Sequence, residues 1–247
     1  MADPWVYLLD VDNTLLDNDR FGADLGRFME TTFGAAERAR FWTIFAERRR
    51  QLGLADYIGS LELFRRDLEG HTGLLNVSDF LLEYRFADLL YRDALSVIRH
   101  LARSGTPVLL SDGDVILQPR KIRLAGLHDA VAGRVLVYLH KETMLDEVQR
   151  LFPAPHYVLI DDKPQILAAV KTALGTRVTT VFVRQGHYAH DVQSQTQVPS
   201  PDRVIECVGD LMTLKLNDSQ VRYESNSRTA EFGPESVAGQ HHAGHAE

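Results

Sequence analysis

Cysteine is nearly absent: Cys207 is the only one in 247 residues. No disulfide can form within the chain, and such usage suits a reducing compartment. Cys207 itself is expected to act as a small buried apolar side chain. Long apolar runs are missing as well. None reaches the roughly 18 residues that a membrane-spanning helix needs, and the opening Met-Ala-Asp-Pro has neither the basic start nor the apolar stretch of a secretory signal. A cytoplasmic protein without a membrane partner is the expectation. Basic charge is in deficit, with 27 Lys and Arg against 34 Asp and Glu, a net charge of −7. A nucleic-acid partner held through bulk charge is therefore not expected. What remains is ordinary for a globular chain: 45% apolar and 25% charged residues, enough to bury one core with a smaller insert. No internal repeat is evident.

Strand-like apolar runs recur at Val6–Leu9, Pro107–Leu110, Val135–Leu139, Tyr157–Ile160 and Val178–Val183. Helical patterns separate the later ones, at Leu95–Arg103, Thr143–Leu151 and Pro164–Leu174, with Gly105 and Gly175 as stops. This alternation predicts an α/β fold with a doubly wound parallel sheet, in which ligands bind beyond the carboxyl ends of the strands. The alternation breaks between the first and second runs. There the spacing predicts helices over Gly34–Leu52, Leu61–Leu68 and Val77–Leu90, the last with Ser78 as N-cap. The expected organisation is a core of residues 1–18 and 92–214, an inserted all-α cap of 19–91, and a disordered tail of 215–247. In that tail apolar residues thin out, and His241, His242 and His245 are read as solvated rather than metal-binding.

Polar signals directly follow four of the apolar runs. The first is Asp10-Val-Asp12-Asn-Thr14. Residues i and i+2 of an extended chain point the same way, so Asp10 and Asp12 are expected to project together, and a divalent cation would relieve their repulsion. The second is Ser111-Asp112-Gly113-Asp114, the third His140-Lys141 and the fourth Asp161-Asp162-Lys163-Pro164. If these strands are parallel neighbours, their ends bring several carboxylates, a hydroxyl and an ammonium to one pocket.

In this order and spacing the set resembles the four motifs of the haloacid dehalogenase superfamily, mostly magnesium-dependent phosphohydrolases. The likeness spans about residues 4–190, and the helical insert resembles the family's C1-type cap. It implies an aspartyl-phosphate on Asp10, with Asp12 protonating the leaving alcohol and then deprotonating water. It also implies Mg2+ held by the Asp10 carboxylate, the Asp12 main-chain carbonyl and Asp162, with Asp161 a further ligand or a neighbour behind it. Ser111 and Lys141 would bind the phosphoryl oxygens, helped by main-chain N–H groups near Asn13 and Gly113. The implied activity is phosphomonoester hydrolysis on a small phosphorylated metabolite, by a monomer or homodimer. Alternatives on the same fold are carbon–halogen hydrolysis, a phosphomutase, and a non-catalytic phosphate-binding protein.

Other polar residues receive plainer readings. Thr14 is expected to cap its turn through its side chain. Arg48, Arg49 and Arg50 read as a solvated helix face, and His187 and Tyr188 as rim packing. Asp112 and Asp114 are open between turn and substrate roles. Tyr57, Arg65 and Arg66 are substrate-contact candidates by residue type alone.

Overall fold

A computed structural model describes residues 5–190 and 198–216. The chain divides after Thr213 into two compact units, and the sheet, helices and cleft all belong to the first. The tail from Asn217 onward, with its three histidines, lies outside the described residues.

Six strands make one parallel sheet: β1 (Trp5–Leu9), β2 (Thr106–Asp112), β3 (Val135–Tyr138), β4 (His156–Asp161), β5 (Val178–Val183) and β6 (Arg203–Ile205). Their order is β3-β2-β1-β4-β5-β6. Leu8 of β1 pairs with Val108 on one side and Leu159 on the other, so β1 sits at the centre, where the chain reverses its direction of winding. The five expected strands are all present. β6 is an addition that three residues, only one of them buried, do not announce in sequence. Alternating β residues drive the packing. Val6, Leu8, Val108, Leu110, Tyr157 and Leu159 face α8 (Leu145–Leu151) and α9 (Pro164–Leu174) in one apolar cluster. Pro164 opens α9, where a missing N–H costs nothing.

Between β1 and β2 the chain is helical throughout: α1 (Asn18–Phe33), α2 (Ala35–Leu52), α3 (Tyr57–Phe64), α4 (Gly73–Glu83) and α5 (Ala94–Leu101). α1 to α4 form the inserted cap. Aromatic rings fill its interior, with Phe21 against Tyr57 at 5.2 Å and Phe41 against Phe64 at 5.7 Å. Asp17 caps α1 by accepting from the Arg20 N–H at 2.9 Å. Helix limits in the cap differ from expectation. Ser78 lies inside α4, which starts five residues earlier. α3 also starts earlier than expected, at Tyr57, because Asp56 accepts from the Gly59 N–H at 2.7 Å. After β2 come α6 (Leu117–Leu124) and α7 (Leu127–Ala130), neither singled out by the periodicity. No helix among the described residues is long and apolar enough to cross a membrane. Cys207 is exposed, contrary to the apolar reading, with its thiol 3.4 Å from an Asp210 oxygen.

Candidate active site

β1 ends at Leu9, and the chain turns sharply at once. The Leu15 and Leu16 N–H groups both donate to the Val11 carbonyl, and Asn13 takes a left-handed φ of 60°. Asp10 and Asp12 flank Val11, the first residue of this turn, and have different partners. Asp10 points into the sheet edge and is 1% exposed. Asp12 instead faces Lys121 of α6, whose ammonium donates to its two oxygens at 2.8 and 3.0 Å.

Three carboxylates do converge: single oxygens of Asp10, Asp161 and Asp162 lie within 4.8 Å of one another. That is close to the roughly 4 Å that separates opposite ligands of one magnesium ion. The partners of these acids differ. Lys141 donates to Asp10 Oδ1 at 2.5 Å and to the Leu110 carbonyl at 3.3 Å. Its Nζ also lies 2.6 Å from Asp161 Oδ2, an ion pair outside hydrogen-bond geometry. Asp161 Oδ1 accepts from the Lys163 N–H at 2.8 Å. Asp10 Oδ2 and both oxygens of Asp162 are buried without a hydrogen-bond partner among the described residues.

The electrostatics follow from this crowding. Burial, then the Asp10 and Asp161 charges, push the Asp162 carboxyl well above the usual carboxylate range. Burial and Asp10 raise Asp161 to about 6, with Lys141 and Lys163 pulling the other way. Burial opposes the Lys141 charge, yet Asp10, Asp161 and Asp112 outweigh it and hold Lys141 above the ordinary lysine range. Lys163 is raised likewise against burial, chiefly by Asp10. Bare buried acid oxygens of this kind fit a hard divalent cation. Asp10 and Asp162 have the open oxygens to hold one, while Asp161 is already turned to Lys141 and the main chain.

The remaining expected residues have mixed fates. Ser111 is buried at the end of β2 and its oxygen accepts from Gln118 Nε2 at 2.9 Å. The Asn13 and Gly113 N–H groups are not available to a ligand, because they bond the Leu16 and Tyr138 carbonyls at 2.7 and 3.0 Å. Thr14 does not cap its turn: its hydroxyl is buried without a partner among the described residues. Asp112 accepts from the Lys141 N–H at 2.8 Å, and burial raises its pKa. Asp114 accepts from Ile116 and Leu117 N–H at the start of α6.

Above the acids lies a cleft of about 540 Å3 between sheet edge and cap. Trp42, Phe45 and Tyr57 form an aromatic wall, while Asp12, Asp162, Gln118 and Lys121 belong to the floor side. Of the arginine run, Arg49 reaches this cleft and donates to the Tyr188 hydroxyl at 2.6 Å. Arg48 pairs with Asp56, and Arg50 with Glu47 at 2.7 Å. His187 and Tyr188 line the cleft rather than only packing its rim; His187 Nδ1 lies 2.7 Å from Asp19 Oδ1. Arg65 and Arg66 are exposed and absent from the cleft lining, whereas Tyr57 is part of it.

No protein-family model and no curated protein matches the chain. Among solved structures, a haloacid dehalogenase-like hydrolase from Burkholderia xenovorans is 51% identical, with a TM-score of 0.82 over 86% of this chain and 99% of that one. The chain belongs to the haloacid dehalogenase superfamily. Two more distant members share its fold. One is the HAD-hydrolase YfnB of Bacillus subtilis, solved bound to magnesium: 16% identity, TM-score 0.56, 86% of this chain and 98% of that one. The other is the L-2-haloacid dehalogenase of Xanthobacter autotrophicus: 19% identity, TM-score 0.54, 87% and 98% covered. In this superfamily hydrolase the four polar signals read from the sequence lie at the ends of four adjoining strands, β3, β2, β1 and β4. Sequence reasoning missed Gln118 and Lys121. A signal was there: both fall beside Leu117 and Ile122 on the inward stripe of α6, where a lysine has to find an acceptor.

Proposed function

We propose that this hydrolase is a magnesium-dependent phosphomonoesterase that acts on a small phosphorylated metabolite through an aspartyl-phosphate on Asp10. The observation that carries this reading is the pairing of a buried nucleophile candidate, Asp10, with a buried acid, Asp162, that has no hydrogen-bond partner among the described residues. A cation held by Asp10, Asp162 and, by the family pattern, the Asp12 carbonyl would offset the charge of the carboxylates and of the incoming phosphate.

The chain's own groups divide the remaining work. An Asp10 oxygen forms a bond to phosphorus as the P–O bond to the leaving alcohol breaks, and Asp12 supplies that alcohol's proton. A water then attacks the phosphoryl group and gives its proton to Asp12, releasing phosphate and restoring Asp10. Lys141, within 2.5 Å of Asp10, orients the nucleophile and offsets charge that builds on the phosphoryl oxygens. Ser111 Oγ accepts from Gln118 at 2.9 Å and donates to the Asp112 carbonyl at 3.3 Å, and that long bond is the one a phosphoryl oxygen would replace. We assign residues 19–91 as the cap that closes over the substrate and excludes water. Carbon–halogen cleavage fits less well, because a halide departs as a stable anion and leaves Asp12 without a task.

The test is release of p-nitrophenol from p-nitrophenyl phosphate. Turnover should require Mg2+, stop in EDTA, and fall by on the order of 10³-fold or more in Asp10→Asn. Chloride release from 2-haloacids in EDTA, without phosphatase activity, would replace this reading with a dehalogenase.

A further inference from the structure

Lys121 is a charged side chain in an apolar setting. It is 1% exposed, and its ammonium lies 5.7 Å from the Phe21 ring centroid and 6.0 Å from that of Phe86. An ammonium carries three protons, and all three have acceptors: the two Asp12 oxygens at 2.8 and 3.0 Å and Asn18 Oδ1 at 2.9 Å. The near-equal distances to Asp12 put the nitrogen near the bisector of the carboxylate, which restricts rotation about its last bond. Asn18 is the first residue of α1, so the same ammonium ties the base of the cap to the motif turn.

We propose that Lys121 is a positioning residue that holds the Asp12 carboxylate in the direction required for proton transfer to the leaving group; the proposal rests on the phosphatase reading above. What distinguishes the two lysines is the acid each one holds: Lys121 is on Asp12 and Asn18, whereas Lys141 is on the nucleophile Asp10 and on Asp161. α6 thus serves two motif residues from one face, with Gln118 on Ser111 and Lys121 three residues later on Asp12.

Lys121→Met keeps the apolar stem and removes the three donors. The experiment compares kcat/KM for p-nitrophenyl phosphate, whose leaving group needs little protonation, with phenyl phosphate, whose leaving group needs it. The variant should lose at least about tenfold more on phenyl phosphate, and Lys121→Arg should recover part of that difference. Equal losses on both esters would assign Lys121 to general structure or phosphate binding and overturn the proposal. Asn18→Ala, which removes one anchor of the ammonium, carries the same comparison if Lys121→Met does not fold. A crystal structure of the variant gives a second reading. An Asp12 carboxylate turned from its present direction supports the proposal, and an unmoved one overturns it. That result stands even if the wild-type protein hydrolyses no phosphate ester, an outcome that would remove the phosphatase reading by itself.

Discussion

Asp162 has two buried oxygens and, among the described residues, no donor for either, and burial with two neighbouring acids lifts its pKa well above the usual range. The sign of the consequence is set by linkage. From about pH 4 upward the unfolded chain releases this proton while the folded one keeps it, so acid favours folding through this group. That advantage is lost as pH rises through the raised folded value. Asp162→Asn has no such proton to lose. In EDTA-containing buffer its stability, followed by urea denaturation, should therefore gain on that of the wild type as pH rises from 4 to 7, by about 1–3 kcal/mol at the upper end. A gap independent of pH would show that Asp162 is not strained by its surroundings. In the same variant, Mg2+ should no longer raise the melting temperature.

Among the elements, β6 pairs with β5 and is tied down at its entry by one carboxylate. Asp202 Oδ2 accepts from Lys171 Nζ at 2.7 Å, from the Thr180 N–H at 2.8 Å and from the Thr180 hydroxyl at 3.0 Å. The carboxylate joins α9, β5 and the entry to β6. Burial acts to raise its pKa, but these donors outweigh burial and hold it below the usual value. Its contribution is complete above about pH 4 and fades as pH falls through the lowered folded value. Asp202→Asn should cost about 1–2 kcal/mol at pH 7, measured by denaturant unfolding, and the difference should shrink below pH 4. An equal cost at both pH values would mean that charge plays no part in anchoring the edge strand. The direction of this effect is opposite to that at Asp162, so the two variants separate general acid sensitivity from local electrostatics.

Across the molecule, the cleft is held between cap and sheet by contacts far apart in sequence. Arg49 of α2 donates to the Tyr188 hydroxyl beyond β5, 139 positions away, and His140 after β3 packs so closely on Gly53 that an added Cβ would stand 2.9 Å from its ring. Tyr188→Phe removes the acceptor and leaves the ring. With one hydrogen bond to a charged group worth about 1 kcal/mol at a partly open site, KM for p-nitrophenyl phosphate should rise about fivefold with kcat within twofold. An unchanged KM would show that this bond does not help to shape the bound state.

Much of this arrangement was legible along the chain. Apolar runs that end in acids, a serine and a lysine are local patterns, and a parallel sheet turns such patterns into a shared edge because every strand delivers its carboxyl end to the same side. That is why Asp10, Asp161, Asp162, Ser111 and Lys141 could be named before their distances were known. Directions of side chains were not legible. Asp12 was read as a companion of Asp10, but nothing along the chain showed that Lys121 of α6, 109 positions away, holds its carboxylate. Donors were expected near Asn13 and Gly113, and the N–H groups of those two residues close a turn and a strand end instead. Arg49 and Tyr188 were given bland roles because their meeting depends on how the cap settles on the sheet. Periodicity reports which face of an element is buried; which partner waits on that face is set by packing among segments a hundred or more residues apart.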